Sequence, residues 1–301
     1  MNHVTDFPHL INCLGGRPLR KCMAVCWPAD AHTRQAATMA LQAGLVNAIF
    51  VGCRQEVMAD AELAPYSEFF SVVDATDCDD AAAKAVALVR EGNADIIMKG
   101  MLNTDNLLRA ILNKATGILP ADSVLTHVTA VSVPDYDKLL LFSDAAVIPY
   151  PNPKQRRTQI NCIAAICRNL GVEEPRISLI HCSEKVDERH FPFTADYLAC
   201  IEECTKGEFG PCIVDGPLDV KTSLSLHALQ EKGLSSPLEG HADGLIFPDI
   251  EAANAFYKTL ALFCQSSNAG ILVGAQAPVV LSSRGDSAQS KFYSIALACA
   301  L

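Results

Sequence analysis

The residues best suited to chemistry lie near the end of the chain, in the polar turn Ser282-Ser283-Arg284-Gly285. Val279 to Leu281 predict a short strand before the turn, and a helical pattern begins after it at Asp286 or Ser287, either of which suits a helix N-cap. A helix N-terminus favours anions, because its first amides point outward and its dipole is positive there. Arg284 adds a planar set of donors. The pattern predicts an anion site; a surface turn with a solvated arginine is the alternative.

A second strand, turn and helix pattern begins at Lys99. The strand predicted over Asp95 to Met98 runs into Lys99-Gly100-Met101-Leu102-Asn103-Thr104-Asp105, where Thr104 is the predicted N-cap of a helix to about Lys114. Lys99 falls at the carboxyl end of its strand, where open α/β sheets bind ligands. Arg109 lies one and a half turns into the helix, and by itself it also fits a solvated helix arginine.

Polar residues also follow the strands predicted in the middle of the chain, at Ser143-Asp144, Glu184-Lys185 and Asp215-Gly216. Because the carboxyl ends of parallel strands meet at one edge of a sheet, we expect these residues to collect on a ligand-binding face. Each pair alone is also compatible with ordinary loop chemistry.

The elements that must position these residues alternate between strand and helix, which predicts βαβ units and a mainly parallel sheet. Val124 to Val133 and Lys138 to Phe142 flank a short polar connection and predict an antiparallel hairpin. The other predicted strands are 22–27, 46–51, 69–73, 176–181, 212–214, 244–247 and 269–273, and the main predicted helices begin at Asp30, at Asp79 or Asp80, after Pro153, at Thr194, at Thr222 and at Asp249.

Composition limits the class of protein. A chain of 301 residues with 50% hydrophobic and 19% charged residues has ample material for one large or two smaller domains with an aliphatic core. The net charge of −10 argues against nucleic acid or an anionic membrane as partner. We expect no membrane span, because no window approaches 18 apolar residues.

The thirteen cysteines show no C-x-x-C spacing and no cluster of four metal ligands. We therefore expect no metal site, and we interpret the cysteines as reduced, mostly buried thiols of a cytoplasmic protein.

Six ordered segments of the chain resemble the phosphate acetyltransferase/phosphate butyryltransferase family, with the butyryltransferase branch the closest match. The resemblance runs from about Ala94 to the C-terminus. It rests on Met98 to Lys114, Tyr136 to Ala146, Ser183 to Val186, Ile213 to Leu218, Ala242 to Asn254 and Ala277 to Lys291.

The resemblance implies two three-layer α/β/α domains of the isocitrate/isopropylmalate dehydrogenase-like type, with an active cleft between them. The first domain would comprise residues 1–120 and 272–301 and carry the Ser-Arg motif. The second would comprise residues 121–271 and supply the dimer interface of a homodimer or higher homo-oligomer.

The resemblance also implies a reaction, the reversible transfer of a short acyl group between coenzyme A and inorganic phosphate through a ternary complex. Acyl-CoA with phosphate, or acyl phosphate with coenzyme A, would be the substrates, and no cofactor or metal would be permanently bound. By match to the family, Ser283 and Arg284 contact the reacting thioester and phosphate, and Arg109 binds phosphate. The expected substrate-binding residues are Lys99, Asn103, Thr104, Ser143, Asp144, Asp215 and Lys291.

The identity of the general base stays open. The acetyltransferases carry an aspartate seven residues after the serine of the Ser-Arg pair, whereas this chain has Ser290 there, followed by Lys291. Asp286 is nearer the turn, although it also suits a helix cap, and the substrate phosphate could accept the proton itself. Branch membership favours an acyl chain longer than acetyl.

Three other functions stay open. The first is a phosphate acetyltransferase with the same chemistry. The second is a nicotinamide- or metal-dependent dehydrogenase on the related fold, which the absence of a G-x-G-x-x-G after the first strand disfavours. The third is a non-catalytic relative that binds coenzyme A or acyl phosphate.

Overall fold

The computed structural model describes residues 3–281 and 285–301. They fall into two compact units. The first unit comprises Phe7–Leu125 and Asn268–Leu301, and the second comprises Thr126–Ser267 with the N-terminal segment up to Asp6.

The secondary structure alternates between strands and helices along most of the chain. The strands are β1 (Lys21–Cys26), β2 (Val46–Gly52), β3 (Phe70–Asp74), β4 (Ile96–Lys99), β5 (Thr126–Ser132), β6 (Leu140–Ser143), β7 (Arg176–Ile180), β8 (Ile213–Leu218), β9 (Gly244–Ile246), β10 (Ser267–Val273) and β11 (Val279–Val280). The helices are α1 (Phe7–Gly15), α2 (Ala31–Gln42), α3 (Arg54–Met58), α4 (Cys78–Arg90), α5 (Thr104–Ile111), α6 (Pro153–Asn169), α7 (Phe193–Thr205), α8 (Val220–Leu224), α9 (Leu226–Glu231), α10 (Ile250–Phe263) and α11 (Ala288–Cys299), with a 3₁₀ segment at Ala64–Phe69.

The strands of the first unit lie in the order β3-β2-β1-β4-β11-β10. β11 is parallel to β4 and antiparallel to β10, and the pairs β3-β2, β2-β1 and β1-β4 are parallel. Helices α1, α2 and α11 pack together, as do α4 and α5, and both groups contact the sheet. The sheet therefore forms the middle layer, and its central strands are almost wholly buried and aliphatic, as expected for a sheet covered on both faces.

The second unit has the strand order β5-β6-β9-β7-β8. β5 and β6 are antiparallel, and the remaining pairs are parallel. This confirms the predicted hairpin. An aromatic and aliphatic cluster that includes Phe142, Leu245 and Phe247 joins the sheet to α10.

A buried ion pair lies near the start of β6 and β9. Lys138 Nζ is 2.6 Å from an Asp243 carboxylate oxygen and also donates to the His241 carbonyl at 2.8 Å. The other Asp243 oxygen accepts from the Arg176 amide. Because both charges are hydrogen-bonded, the pair is satisfied in a region that excludes water.

Several predicted boundaries were wrong in detail. The helix predicted from Asp79 or Asp80 begins at Cys78, because the Asp77 side chain accepts from the amides of both aspartates. The predicted helix over Thr222 to Lys232 is two helices, because the Ser225 side chain accepts from the Ala228 amide and starts a new one. Asp215-Gly216 does not follow a strand but lies inside β8.

Helix α5 ends at Ile111 rather than near Lys114. Asn113 accounts for the difference, because its side-chain oxygen accepts from the amides of Ala115 and Thr116 and holds the chain in a turn. None of the helices in the described ranges combines the length and apolar character needed to cross a bilayer.

Candidate active site

The predicted Ser-Arg pair, Ser283 and Arg284, lies outside the described residues. The elements on either side of it are β11 and α11. Helix α11 begins at Ala288 and is capped by Ser287, whose hydroxyl accepts from the Ser290 amide at 3.1 Å. Ser287, rather than Asp286, is therefore the N-cap.

A cavity of about 250 Å³ lies in the first unit beside the start of α11. Three segments of the described part of the chain line it: the start of α2, the end of β4 and the first turn of α11. They contribute Asp30, Ala31, His32, Lys99, Gly100, Met101 and Lys291. We call this the lysine cavity, because Lys99 and Lys291 are both 3% exposed.

The sheet explains why these segments meet. β1, β4 and β11 are neighbouring parallel strands, so their carboxyl ends lie at the same edge. Helices α2 and α5 begin five residues after the ends of β1 and β4, and α11 begins eight residues after the end of β11. The lysine cavity therefore occupies the edge at which open α/β sheets bind ligands.

Gly100 holds the end of β4 against the end of β1. Its amide donates to the Cys26 carbonyl at 2.8 Å, and the Met101 amide donates to the Trp27 carbonyl at 2.9 Å. A Cβ atom at Gly100 would lie 2.3 Å from the Trp27 oxygen and 2.6 Å from the Cys26 oxygen. Only glycine allows this approach, which fixes the backbone next to Lys99.

The charges in the lysine cavity perturb one another. Burial alone would raise the pKa of Asp30, but hydrogen bonds from Thr33 and the positive charge of Lys291 outweigh it and hold the pKa below its usual value. Burial lowers the pKa of Lys291, and the carboxylates of Asp30 and Asp286 oppose that shift. Perturbed titration in a cavity is typical of functional sites.

Arg109 lies elsewhere in the first unit. It is exposed and lines a cavity of about 510 Å³ between α4 and α5, with Lys84, Arg90, Asn106 and Asn113 among the other lining residues. Arg90 donates to the Thr116 carbonyl at 2.8 Å. The structure thus does not place Arg109 among the residues that line the lysine cavity, and its role in phosphate binding stays a prediction.

Asn103 and Thr104 lie in the sequence between residues that line the lysine cavity and residues that line the cavity between α4 and α5. Asn103 occupies the N-cap position of α5 without a side-chain cap hydrogen bond, and Thr104 is the first helical residue rather than the predicted cap. Ser290 lies in the first turn of α11, and its hydroxyl accepts from the Ser287 hydroxyl at 3.2 Å.

Ser143 and Asp144 belong to the second unit and are buried. Asp144 accepts four hydrogen bonds of 2.8–2.9 Å, from the Thr126 hydroxyl and from the amides of His127, Ala146 and Val147. These bonds order the turn after β6. The expectation that Ser143 and Asp144 bind substrate stays a prediction.

Asp215 also lies in the second unit, where its carboxylate accepts from the Ser236 hydroxyl at 2.6 Å. Its substrate-binding role stays a prediction too.

Sequence reasoning missed two residues of the lysine cavity. Asp30 was predicted only as the cap of α2, a role the structure confirms, since it accepts from the Thr33 amide at 2.8 Å. His32 was not singled out. The available signal was their position just after β1, at the same sheet edge as Lys99. Among the residues described, no three His, Cys, Asp or Glu side chains are grouped so as to hold a metal ion.

Comparison with known proteins gives consistent results over nearly the whole chain. The profile of the family described as "Phosphate acetyl/butaryl transferase" matches residues 72–299. A phosphate butyryltransferase of Clostridium acetobutylicum is 35% identical over 98% of this chain and 97% of its own. A phosphate acetyltransferase of Thermotoga maritima is 32% identical over 92% of this chain and 94% of its own.

A solved structure is also similar. The crystal structure of a branched-chain phosphotransacylase from Enterococcus faecalis V583 superimposes with a TM-score of 0.78, at 28% identity, over 93% of this chain and 98% of the other. This likeness confirms the predicted α/β fold of the dehydrogenase-like type. The matched profile and the relatives' identity over nearly full length show that the chain belongs to the phosphate acetyl/butaryl transferase family.

Proposed function

We propose that this phosphate acyltransferase transfers butyryl or a similarly short acyl group between coenzyme A and inorganic phosphate. In one direction acyl-CoA and phosphate give acyl phosphate and free coenzyme A, and the reaction is reversible. The observation that carries the proposal is the lysine cavity, where two buried lysines lie at the ligand-binding edge of the sheet of a family member. Coenzyme A acts as a substrate, and no permanently bound cofactor is needed.

The chemistry of the cavity fits an anionic substrate. Among the described residues that line the cavity, Lys99 and Lys291 offer two side-chain nitrogens against the single carboxylate of Asp30, so a phosphoryl group finds hydrogen-bond donors there. Cationic donors in a water-poor site stabilise the oxyanion that forms as the acyl carbon becomes tetrahedral. Holding both substrates together in the site lowers the activation barrier further through proximity, without a covalent enzyme intermediate.

Ser283 and Arg284 complete the proposed site. The resemblance assigns them to the reacting thioester and phosphate, and they precede α11 by a few residues. Asn103 and Thr104 extend the proposed binding surface to the start of α5, and Arg109 is proposed to bind phosphate from the separate cavity between α4 and α5.

The relatives support the proposed acyl group. The butyryltransferase and the branched-chain phosphotransacylase act, by their names, on acyl groups larger than acetyl, whereas the Thermotoga relative is an acetyltransferase. A phosphate acetyltransferase with the same chemistry is the alternative. A non-catalytic protein that binds coenzyme A or acyl phosphate is the second alternative, which Ser290 at the position of the acetyltransferase aspartate favours.

The test is phosphate-dependent release of coenzyme A, followed with a thiol reagent, from acetyl-, propionyl-, butyryl- and valeryl-CoA. We expect a maximum at butyryl-CoA. A maximum at acetyl-CoA would keep the reaction and change the substrate. The absence of phosphate-dependent release from all four would refute catalysis and leave binding, which calorimetry with coenzyme A would detect.

We further propose that the two compact units are the two domains that the resemblance implies, and that the second carries a homodimer interface. The support is the C-terminal end of α10, where Leu262 and Phe263 are 74% and 76% exposed. Adjacent large apolar side chains are typical of surfaces that a partner covers. Phe263→Glu should shift the mass measured by light scattering towards the monomer, whereas Lys258→Glu on the same helix should not.

A cytoplasmic location also belongs to the proposal. It is supported by the thirteen cysteines, which are all free thiols, as expected in a reducing compartment.

A further inference from the structure

The proposed reaction requires a proton acceptor. A thiol is a poor nucleophile until it loses its proton, so a base must lie beside the point where the sulfur of coenzyme A attacks the acyl phosphate. Among the described residues that line the lysine cavity, the titratable side chains are Asp30, His32, Lys99 and Lys291. These four side chains are the candidates for the base.

Three of them are poorly suited to the role. Asp30 is the N-cap of α2, and its depressed pKa makes its carboxylate a weak base. His32 is exposed at the start of α2. Lys99 Nζ is turned towards its own backbone and donates to the Gly100 carbonyl at 3.4 Å. Ser290, next to the cavity, carries a hydroxyl, which is not a base at neutral pH.

Lys291 has the geometry of a base. It lies in the first turn of α11, 3% exposed, on the wall of the cavity. The positive end of the helix dipole and a second lysine in the same cavity both disfavour a charged ammonium there.

The surroundings of Lys291 shift its pKa in opposite directions. Burial lowers its pKa, whereas Asp30 from α2 and Asp286 ahead of α11 raise it. Lys99 at the end of β4 adds positive charge to the same cavity, and His32 is the other titratable lining residue. The balance favours the neutral amine at a lower pH than for a lysine in water.

We propose that the neutral amine of Lys291 is the base that accepts the thiol proton of coenzyme A. This assignment rests on the proposed function. The Lys291 nitrogen takes the proton from sulfur, the sulfur forms a bond to the acyl carbon, and the bond from that carbon to the phosphate oxygen breaks. Inorganic phosphate leaves with the electron pair, and the ammonium returns its proton to solvent.

The reverse reaction uses the same group as an acid. Phosphate attacks the thioester carbon, the carbon–sulfur bond breaks, and the Lys291 ammonium protonates the departing thiolate. One residue thus serves both directions, as microscopic reversibility requires.

The test compares Lys291→Met, which removes the amine, with Lys291→Arg, which keeps a nitrogen donor on a side chain of similar length but cannot lose its proton. In the direction of acyl-CoA synthesis from butyryl phosphate, both changes should lower kcat about 100-fold or more, because general-base catalysis contributes that much. The KM for butyryl phosphate in Lys291→Arg should stay within about threefold, because the hydrogen-bond donors of the side chain are kept. Lys154→Met, at an exposed lysine of α6 in the second unit, is the matched control and should keep wild-type activity.

A second variant keeps the amine and changes its surroundings. Asp30→Asn preserves the helix cap, since asparagine caps as well as aspartate. It removes a charge that favours the ammonium, so the acidic limb of the kcat profile should move to lower pH, by about one unit. This measurement remains decisive if Lys291→Met fails to fold.

The outcomes separate the two proposals. An active wild type with a near wild-type Lys291→Arg, or an acidic limb that Asp30→Asn does not move, would overturn the base assignment alone. Loss of the acidic limb in His32→Gln, with the Lys291 variants unaffected, would make His32 the base. A wild type without phosphate-dependent release of coenzyme A would overturn the proposed function, and the base assignment with it.

Discussion

Replacing Gly100 with alanine tests whether the close contact between the ends of β1 and β4 positions Lys99. The new Cβ would lie 2.3 Å from the Trp27 oxygen, whereas real Cβ contacts are essentially never under 3.0 Å, so the backbones must separate by about 0.7 Å, which is 3.0 minus 2.3. The amide bonds from Gly100 to Cys26 and from Met101 to Trp27 would weaken or break.

The magnitude follows from these contacts. Two hydrogen bonds at about 1 kcal/mol each give about 2 kcal/mol. The smaller entropy of the unfolded alanine chain offsets about 0.5–1 kcal/mol of this. The net loss of about 1–1.5 kcal/mol should lower Tm by roughly 2–4 °C. Activity should fall further, by about tenfold to 100-fold, because a displacement approaching 1 Å at a reacting group has effects of that size.

The assay pairs thermal unfolding with the phosphate-dependent release of coenzyme A. Gly16→Ala is the matched control, because its Cβ would meet no atom within 4 Å. It should change neither quantity. If Gly100→Ala kept both the wild-type Tm and full activity, the backbone contact could not be what holds Lys99 in place.

Three further changes probe the interior and its charges. Asp144→Ala should lower the free energy of unfolding in urea by about 3 kcal/mol or more, because four donors lose their acceptor; a loss under about 1 kcal/mol would contradict this. Lys138→Met or Asp243→Leu alone should cost about 3–5 kcal/mol by leaving a buried charge unpaired, and the double variant should recover part of it, which a double-mutant cycle measures. For Lys291, the native state releases its proton at lower pH than the unfolded state, so wild-type stability should rise between the lowered native pKa and the unfolded value of about 10.4. Lys291→Met should flatten that rise in denaturation curves recorded from about pH 7 to 10.5; an unchanged slope would show that the native pKa is not lowered.

Local signals made part of the fold predictable. Asp30 and Asp249 were predicted as helix caps, and each accepts from the amide three residues on. Cap chemistry depends on a few neighbouring residues, which a sequence displays directly. Local signals failed for the helix predicted from Thr222. The helical pattern there looks continuous, but Ser225 caps a second helix within it.

Asp215 shows a different limit. The sequence Asp215-Gly216-Pro217 is typical of a turn. Strand β8 nevertheless continues through these residues, because β7 pairs with β8 up to Leu218, with a shift in register after Ser178. Strand pairing is set by partners distant in sequence, so it can override local preference.

The site was predictable only in part. Lys99 and Lys291 were both predicted as substrate-binding residues, and the structure brings them into one cavity. Asp30 follows a strand that ends at the same sheet edge, but that β1 is the direct neighbour of β4 is known only from the structure. Arg109 is five residues beyond the first residue of α5, which at 100° per residue turns it about 140° away from that residue. Its place in the cavity between α4 and α5 follows from that rotation.

The place of β11 has a consequence for synthesis of the chain on the ribosome. β4 pairs with β1 on one side and with β11 on the other, so the edge of β4 at Ile97 and Met98 stays open until residues 279–280 emerge. The whole of Thr126–Ser267 is made in that interval, and its strands β5, β6, β9, β7 and β8 pair with one another in that order. We therefore expect the second unit to fold before the first, which is completed only when β11 and α11 follow. In a chain that ends at Ser267 and has been released from the ribosome, protease should spare the second unit and digest the first.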